Sequence, residues 1–103
     1  MKTTFTNAFQ NGDFAKTVST AVDYKLKDDE KGLFLAVEAT AASKTLTLDL
    51  EDGDTMIITN IGGTNAITVK NVAGDTGTSL AKGKCAIVVA STTADASTVL
   101  VLN

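Results

Sequence analysis

The chain has 103 residues, 44% hydrophobic and 20% charged, with a formal net charge of −3 and a pI near 4.7, which fits one acidic globular domain and not a disordered chain. It contains no His, Arg, Trp or Pro. The usual proton-transfer residue and transition-metal ligand, the bidentate phosphate clamp and the best sugar-stacking ring are therefore all missing, and an acidic surface opposes nucleic-acid binding.

Residues 1–14 are rich in Thr and Asn and hold three of the four phenylalanines, Phe5, Phe9 and Phe14. The segment has little helix or strand periodicity, and Asn11-Gly12-Asp13 is a turn signal. Two readings stand side by side. The phenylalanines seal one end of the domain's own core, or they anchor an N-terminal arm onto a neighbouring subunit or another protein, as aromatic hot spots do. The first residues contain no apolar stretch long enough for a secretory signal, and no segment is long enough to span a bilayer, so synthesis in a cytosol is expected.

The domain proper is expected over 15–103. From Lys16 to Lys27 the β-branched Thr17, Val18, Thr20 and Val22 favour a strand over a single helical turn. Lys27 to Gly32 is a charged loop without the ligand spacing of a calcium loop. Leu33 to Ala39 is a strand. Leu46, Leu48 and Leu50 alternate with polar residues at the period of a half-buried strand. Asp52-Gly53 supplies a tight turn, Thr55 to Thr59 a strand, Gly62-Gly63 a second reversal, and Ala66 to Lys70 a third strand with Ile67 and Val69 on one face. Both reversals are expected to be hairpin turns. Cys85 to Ala90 is the most apolar strand and is expected to be central, with Cys85 a small buried hydrophobe. Ser97 to Leu102 closes the domain with Val99 and Val101 on one face and Leu100 and Leu102 on the other. Apolar residues on both faces imply that this strand is covered on both sides, by its own sheet or by another subunit. The expected fold is all-β, a small antiparallel sandwich or barrel of about seven to eight strands, with no internal repeat evident in the sequence.

Candidate chemistry is sparse. Asp49, Glu51, Asp52 and Asp54 fall within six positions, but they lack the oxygen spacing of a calcium loop, and a charged hairpin tip is the expected role. The same carboxylates lack a stacking platform for a glycosidase. Gly74-Asp75-Thr76-Gly77 contains an Asp-Thr-Gly triplet, without the long apolar strand that would bury an aspartic-protease aspartate. Neither Gly-rich stretch precedes a helix carrying Lys-Ser/Thr, so neither is a phosphate loop. No enzyme activity, cofactor or metal is expected.

From about Leu46 to Asn103, a little over half the chain, run TMIITNIGGTNAITVKN, then GTSLAKGKCAIVV, then STVLVLN. On these features the sequence resembles small β-domains of tailed-bacteriophage virions: capsid decoration, head-fibre and tail-fibre modules. Many fibre modules carry an aromatic near the last strand, where this chain has Leu100 and Leu102. The resemblance implies a structural virion protein, either a capsid decoration (cement) protein on the outside of an assembled head or a receptor- or carbohydrate-binding fibre module. The implied partners are the major capsid protein and further copies of the chain, as a homotrimer, with no nucleic acid and no membrane. The expected interface residues are Phe5, Phe9, Phe14, Leu100 and Leu102.

Overall fold

The computed structural model describes residues 15–102; Phe5, Phe9, Phe14 and the rest of the expected arm lie outside them. Among the described residues nine strands form. They are β1 (Ala15–Thr20), β2 (Tyr24–Lys25), β3 (Phe34–Ala39), β4 (Lys44–Thr47), β5 (Thr55–Asn60), β6 (Ile67–Lys70), β7 (Thr78–Leu80), β8 (Cys85–Val89) and β9 (Thr98–Leu102). One 3-10 turn at Asp28–Glu30 occupies the charged loop, where the Glu30 carboxylate accepts the Lys27 N–H at 2.8 Å. The all-β expectation holds.

The strands divide into a five-stranded sheet, β1-β3-β5-β8-β9, and a four-stranded sheet, β2-β4-β6-β7. From β1 to β6 the chain changes sheet with every strand. Each of these strands consequently lies parallel to the one before last: β1 with β3, β3 with β5, β2 with β4, and β4 with β6. The arrangement is a short two-sided coil. Its last two turns keep one spacing, since Phe34 pairs with Ile57 and Lys44 with Ile67, each 23 residues on. The coil is a structural repeat with little sequence repetition: equivalent buried positions hold Leu35 and Ile58, then Val37 and Asn60. Antiparallel pairing begins only where β7 doubles back on β6 and where β8 and β9 complete the large sheet.

The pairing thus corrects two expectations. The sheets are mixed instead of antiparallel, and neither Asp52-Gly53 nor Gly62-Gly63 makes a hairpin. Gly53 does take a positive φ of 82°, as a tight turn requires, but the chain leaves β4 in one sheet and enters β5 in the other. Gly62-Gly63 likewise carries it from β5 to β6 across the core. The expected strand through Leu50 also stops at Thr47, because Asp49 adopts φ 56° and breaks the extended run. Leu48 and Leu50 stay buried beyond it.

Alternation places one side of each sheet in a shared core. Val18, Leu35, Val37, Met56, Ile58, Ala86 and Val88 face Leu46, Ile67, Val69 and Leu80 across the interior. Two asparagines, Asn60 and Asn71, are buried in this core and fully satisfied. The Asn60 amide donates to the carbonyls of Asn65 (2.9 Å) and Leu80 (3.0 Å), and its oxygen accepts the Gly62 N–H at 2.9 Å. The Asn71 amide donates to the carbonyls of Ser91 (2.9 Å) and Leu50 (3.2 Å), and its oxygen accepts the Leu50 N–H at 2.8 Å. Each side chain ties together loops that the ladders leave unpaired, which is what a buried amide needs to offset its desolvation.

Candidate protein-binding face

The acidic stretch that stood out in the sequence is dispersed. Asp49 faces two lysines, Lys25 at 3.5 Å and Lys31 at 3.6 Å, and its carbonyl accepts the Lys31 ammonium at 2.8 Å. Asp54 accepts the Glu51 N–H at 3.2 Å. The carboxylate of Asp52 accepts both the N–H and the hydroxyl of Thr92, and these bonds hold its carboxyl below the usual carboxylate range. Asp75 binds the same loop further along by accepting the Asp95 N–H, and within its own turn it accepts the N–H groups of Asn71 and Val72. Burial works against ionisation there, but the three donors outweigh it and its carboxyl too lies below the usual range. Asp52 and Asp75 therefore act as pins for the Ser91–Ser97 loop, and Asp95 returns the contact by accepting the Thr76 N–H. Among the described residues no group of three or more His, Cys, Asp or Glu side chains is placed to hold a metal ion.

The outer faces of the two sheets differ in kind. On the four-stranded sheet the outward rows are Lys25, Thr47 and Lys70, then Thr45, Thr68 and Ser79, a polar surface suited to water. On the five-stranded sheet the register aligns Phe34, Ile57, Ile87 and Leu100 in one row across β3, β5, β8 and β9. The neighbouring rows add Ala36, Thr59, Cys85 and Leu102 on one side and Thr55, Val89 and Thr98 on the other. Among the described residues Glu38 is the one charged side chain on this face, and it is held at the rim by the Ser19 hydroxyl at 3.2 Å. Leu100 is 55% exposed, Val89 43%, Leu102 39% and Phe34 37%. Large apolar side chains gathered on one face with a single charge at its rim make it the candidate interaction surface of the domain, whereas scattered ones need no explanation.

Of the expected interface residues, Leu100 and Leu102 stand together on this face. Within this chain the described residues cover β9 on its inner side, where Val99 packs against the core, and leave the outer side chains Leu100 and Leu102 open. Cys85 is a correction as well. It is half-buried and points to the same outer face, where its sulfur accepts the Thr59 hydroxyl at 3.5 Å. The alternation places Ala86 and Val88 in the core and so turns Cys85 outward. Phe34, Ile57, Ile87 and Val89 were missed as interface candidates. The signal was available in each strand, since Phe34-Leu35, Met56-Ile57-Ile58 and Ile87-Val88-Val89 are apolar at both parities, as is the last strand. No helix among the described residues is long and apolar enough to cross a membrane. No family model, curated protein or solved structure matches the chain.

Proposed function

We propose that this chain is a structural virion protein, a capsid decoration (cement) protein that binds the outer surface of an assembled phage head and stabilises it. The observation that supports the reading is the apolar face of the five-stranded sheet, carrying Phe34, Ile87, Leu100 and Leu102, with Glu38 its one charged side chain among the described residues. Such a face suits a flat protein partner better than a small polar ligand. The resemblance to virion β-domains supplies the partner, the major capsid protein, and the self-association, three copies gathered at a lattice position. A protein that binds the assembled lattice and not the free subunit stabilises the lattice by mass action. Phe5, Phe9 and Phe14 add anchors in residues 1–14, and no catalysis is assigned.

The test is a partition experiment. Purified protein is mixed separately with undecorated heads and with host cells, and each is pelleted. The decoration reading expects the protein in the head pellet and heads that resist heat better. Protein that follows the cells and ignores the heads would establish the fibre reading in its place.

A further inference from the structure

The two sheets have four outer edges among the described residues: β1 and β9 on the large sheet, β2 and β7 on the small one. Exposed edges invite pairing with another chain, and natural proteins blunt them with charge or brevity. Three of the four follow that rule. β1 carries Lys16, β2 has two residues and β7 has three. The fourth, β9, has five residues, Thr-Val-Leu-Val-Leu, with no charge and no Pro. It is also exposed on both faces, with Leu100 and Leu102 outward and Val101, 37% exposed, on the inner side.

We propose that β9 is a self-pairing edge, joining antiparallel to β9 of a second copy about a two-fold axis at Leu100. The partner strand must be extended and free of charge, and this chain presents such a strand at that same edge. With the axis at Leu100, Leu100 lies opposite its own copy, Val99 opposite the partner's Val101, and Thr98 opposite the partner's Leu102. No like charges meet, which an antiparallel pair requires. The apolar row from Phe34 to Leu100 then continues unbroken into the second copy's row. A partner lying on the outer face alone would cover Leu100 and leave Val101 open, whereas an added strand gives both a lateral neighbour. The contact goes beyond the decoration reading: a two-fold joins copies in pairs, so on a head it would link neighbouring trimers and would not close one. A single strand pair buries less than the roughly 1,200 Å² of a standard interface. It is therefore weak in dilute solution and is favoured where a lattice raises local concentration.

The experiment uses free full-length protein, so its outcome is separate from head binding. In a Cys85→Ser background, Leu100→Cys is oxidised and run on a non-reducing gel beside Val22→Cys. Val22, at 62% exposure, is more open than Leu100 but lies away from the edge. Directly opposed positions are close enough for a disulfide. The Leu100→Cys variant should form covalent dimers at least about tenfold faster than the Val22→Cys control, because pairing raises the effective thiol concentration. Leu100→Lys and Leu100→Glu should each lose pairing alone and regain it when mixed, which a merely structural role for Leu100 would not produce. Hydrogen exchange over β9 should slow as protein concentration rises. Equal cross-linking of the two cysteine variants, or charge variants that pair as well alone as mixed, would overturn the proposal. Protection of β9 that is the same at every concentration would also overturn it, assigning the edge to a segment of the same chain.

Discussion

Replacing Asn60 by Ala removes the polar joint between β5 and the small sheet. Asn60 is completely buried, and its side chain makes three hydrogen bonds, to the Gly62 N–H and to the carbonyls of Asn65 and Leu80. Truncation leaves the Gly62 N–H and the Leu80 carbonyl without these partners in the interior. Each orphaned group costs about 1–3 kcal/mol, so the loss should be on the order of 3–5 kcal/mol. That is a large part of the roughly 5–15 kcal/mol available to a domain of this size. At about 4–8 °C per kcal/mol the melting temperature should fall by about 12–40 °C. The assay is urea unfolding followed by far-ultraviolet circular dichroism. Asn60→Val serves as the control, because the equivalent position one coil earlier is Val37. Valine fills the space and restores no hydrogen bond, so it should recover little of the loss. A cost below about 1 kcal/mol in both variants would refute the claim that this amide holds β5 to the small sheet.

Gly77 has φ 85°, and a Cβ there would stand 2.6 Å from the Thr68 Cγ2. Gly77→Ala should therefore cost about 2–4 kcal/mol from strain and overlap, while Gly83→Ala, with φ 74° and open space around it, should cost less; both are read by thermal unfolding. Acid should release the Ser91–Ser97 loop. The folded-state pKa values of Asp52 and Asp75 are depressed, so their stabilisation is complete above the unfolded value of about 3.9 and is lost as pH falls through the folded values. Melting temperature should accordingly drop below about pH 4, with a smaller drop in Asp75→Asn, which begins already weakened. The sole tyrosine, Tyr24, donates its hydroxyl to the Glu30 carboxylate at 2.7 Å, and this bond above all pushes its pKa up to about 12. A spectroscopic titration should find tyrosinate forming late in the native protein and at lower pH in Glu30→Gln, where burial and Asp29 still hold it above the ordinary value. Cys85, half-buried on the outer face, should react with a thiol reagent without unfolding; labelling only at the rate of global unfolding would contradict that placement.

Strand existence was legible because period-two alternation depends only on which side chains enter the core. Ile67 and Val69 point inward, and Thr68 outward, as their spacing requires. Which sheet each strand joins was not legible. Both sheets line one core, so the alternation reads the same in either. The choice is made by contacts distant in sequence, such as the Asn60 amide on Leu80 and the Asn65 amide on the Ala39 carbonyl at 2.9 Å. Turn residues mark where the chain reverses and carry no information about the next partner, which is why Asp52-Gly53 read as a hairpin. Leu100 and Leu102 were recognisable because β9 is apolar at both parities. Phe34, Ile57, Ile87 and Val89 carried the same signal strand by strand, but their assembly into one face was not legible, because a row through Phe34, Ile57, Ile87 and Leu100 exists only once the register of four strands is fixed.

The proposed function places protein binding on the outer face of the five-stranded sheet. Hydroxyl-radical footprinting of the full chain, free and bound to undecorated heads, tests it side chain by side chain. Phe34, Ile87, Leu100 and Leu102 should be modified in the free protein and protected on the head, with Lys25 and Lys70 on the opposite sheet unchanged. Protection confined to the loops around Asp52 and Gly62, with Leu100 as reactive on the head as off it, would contradict it.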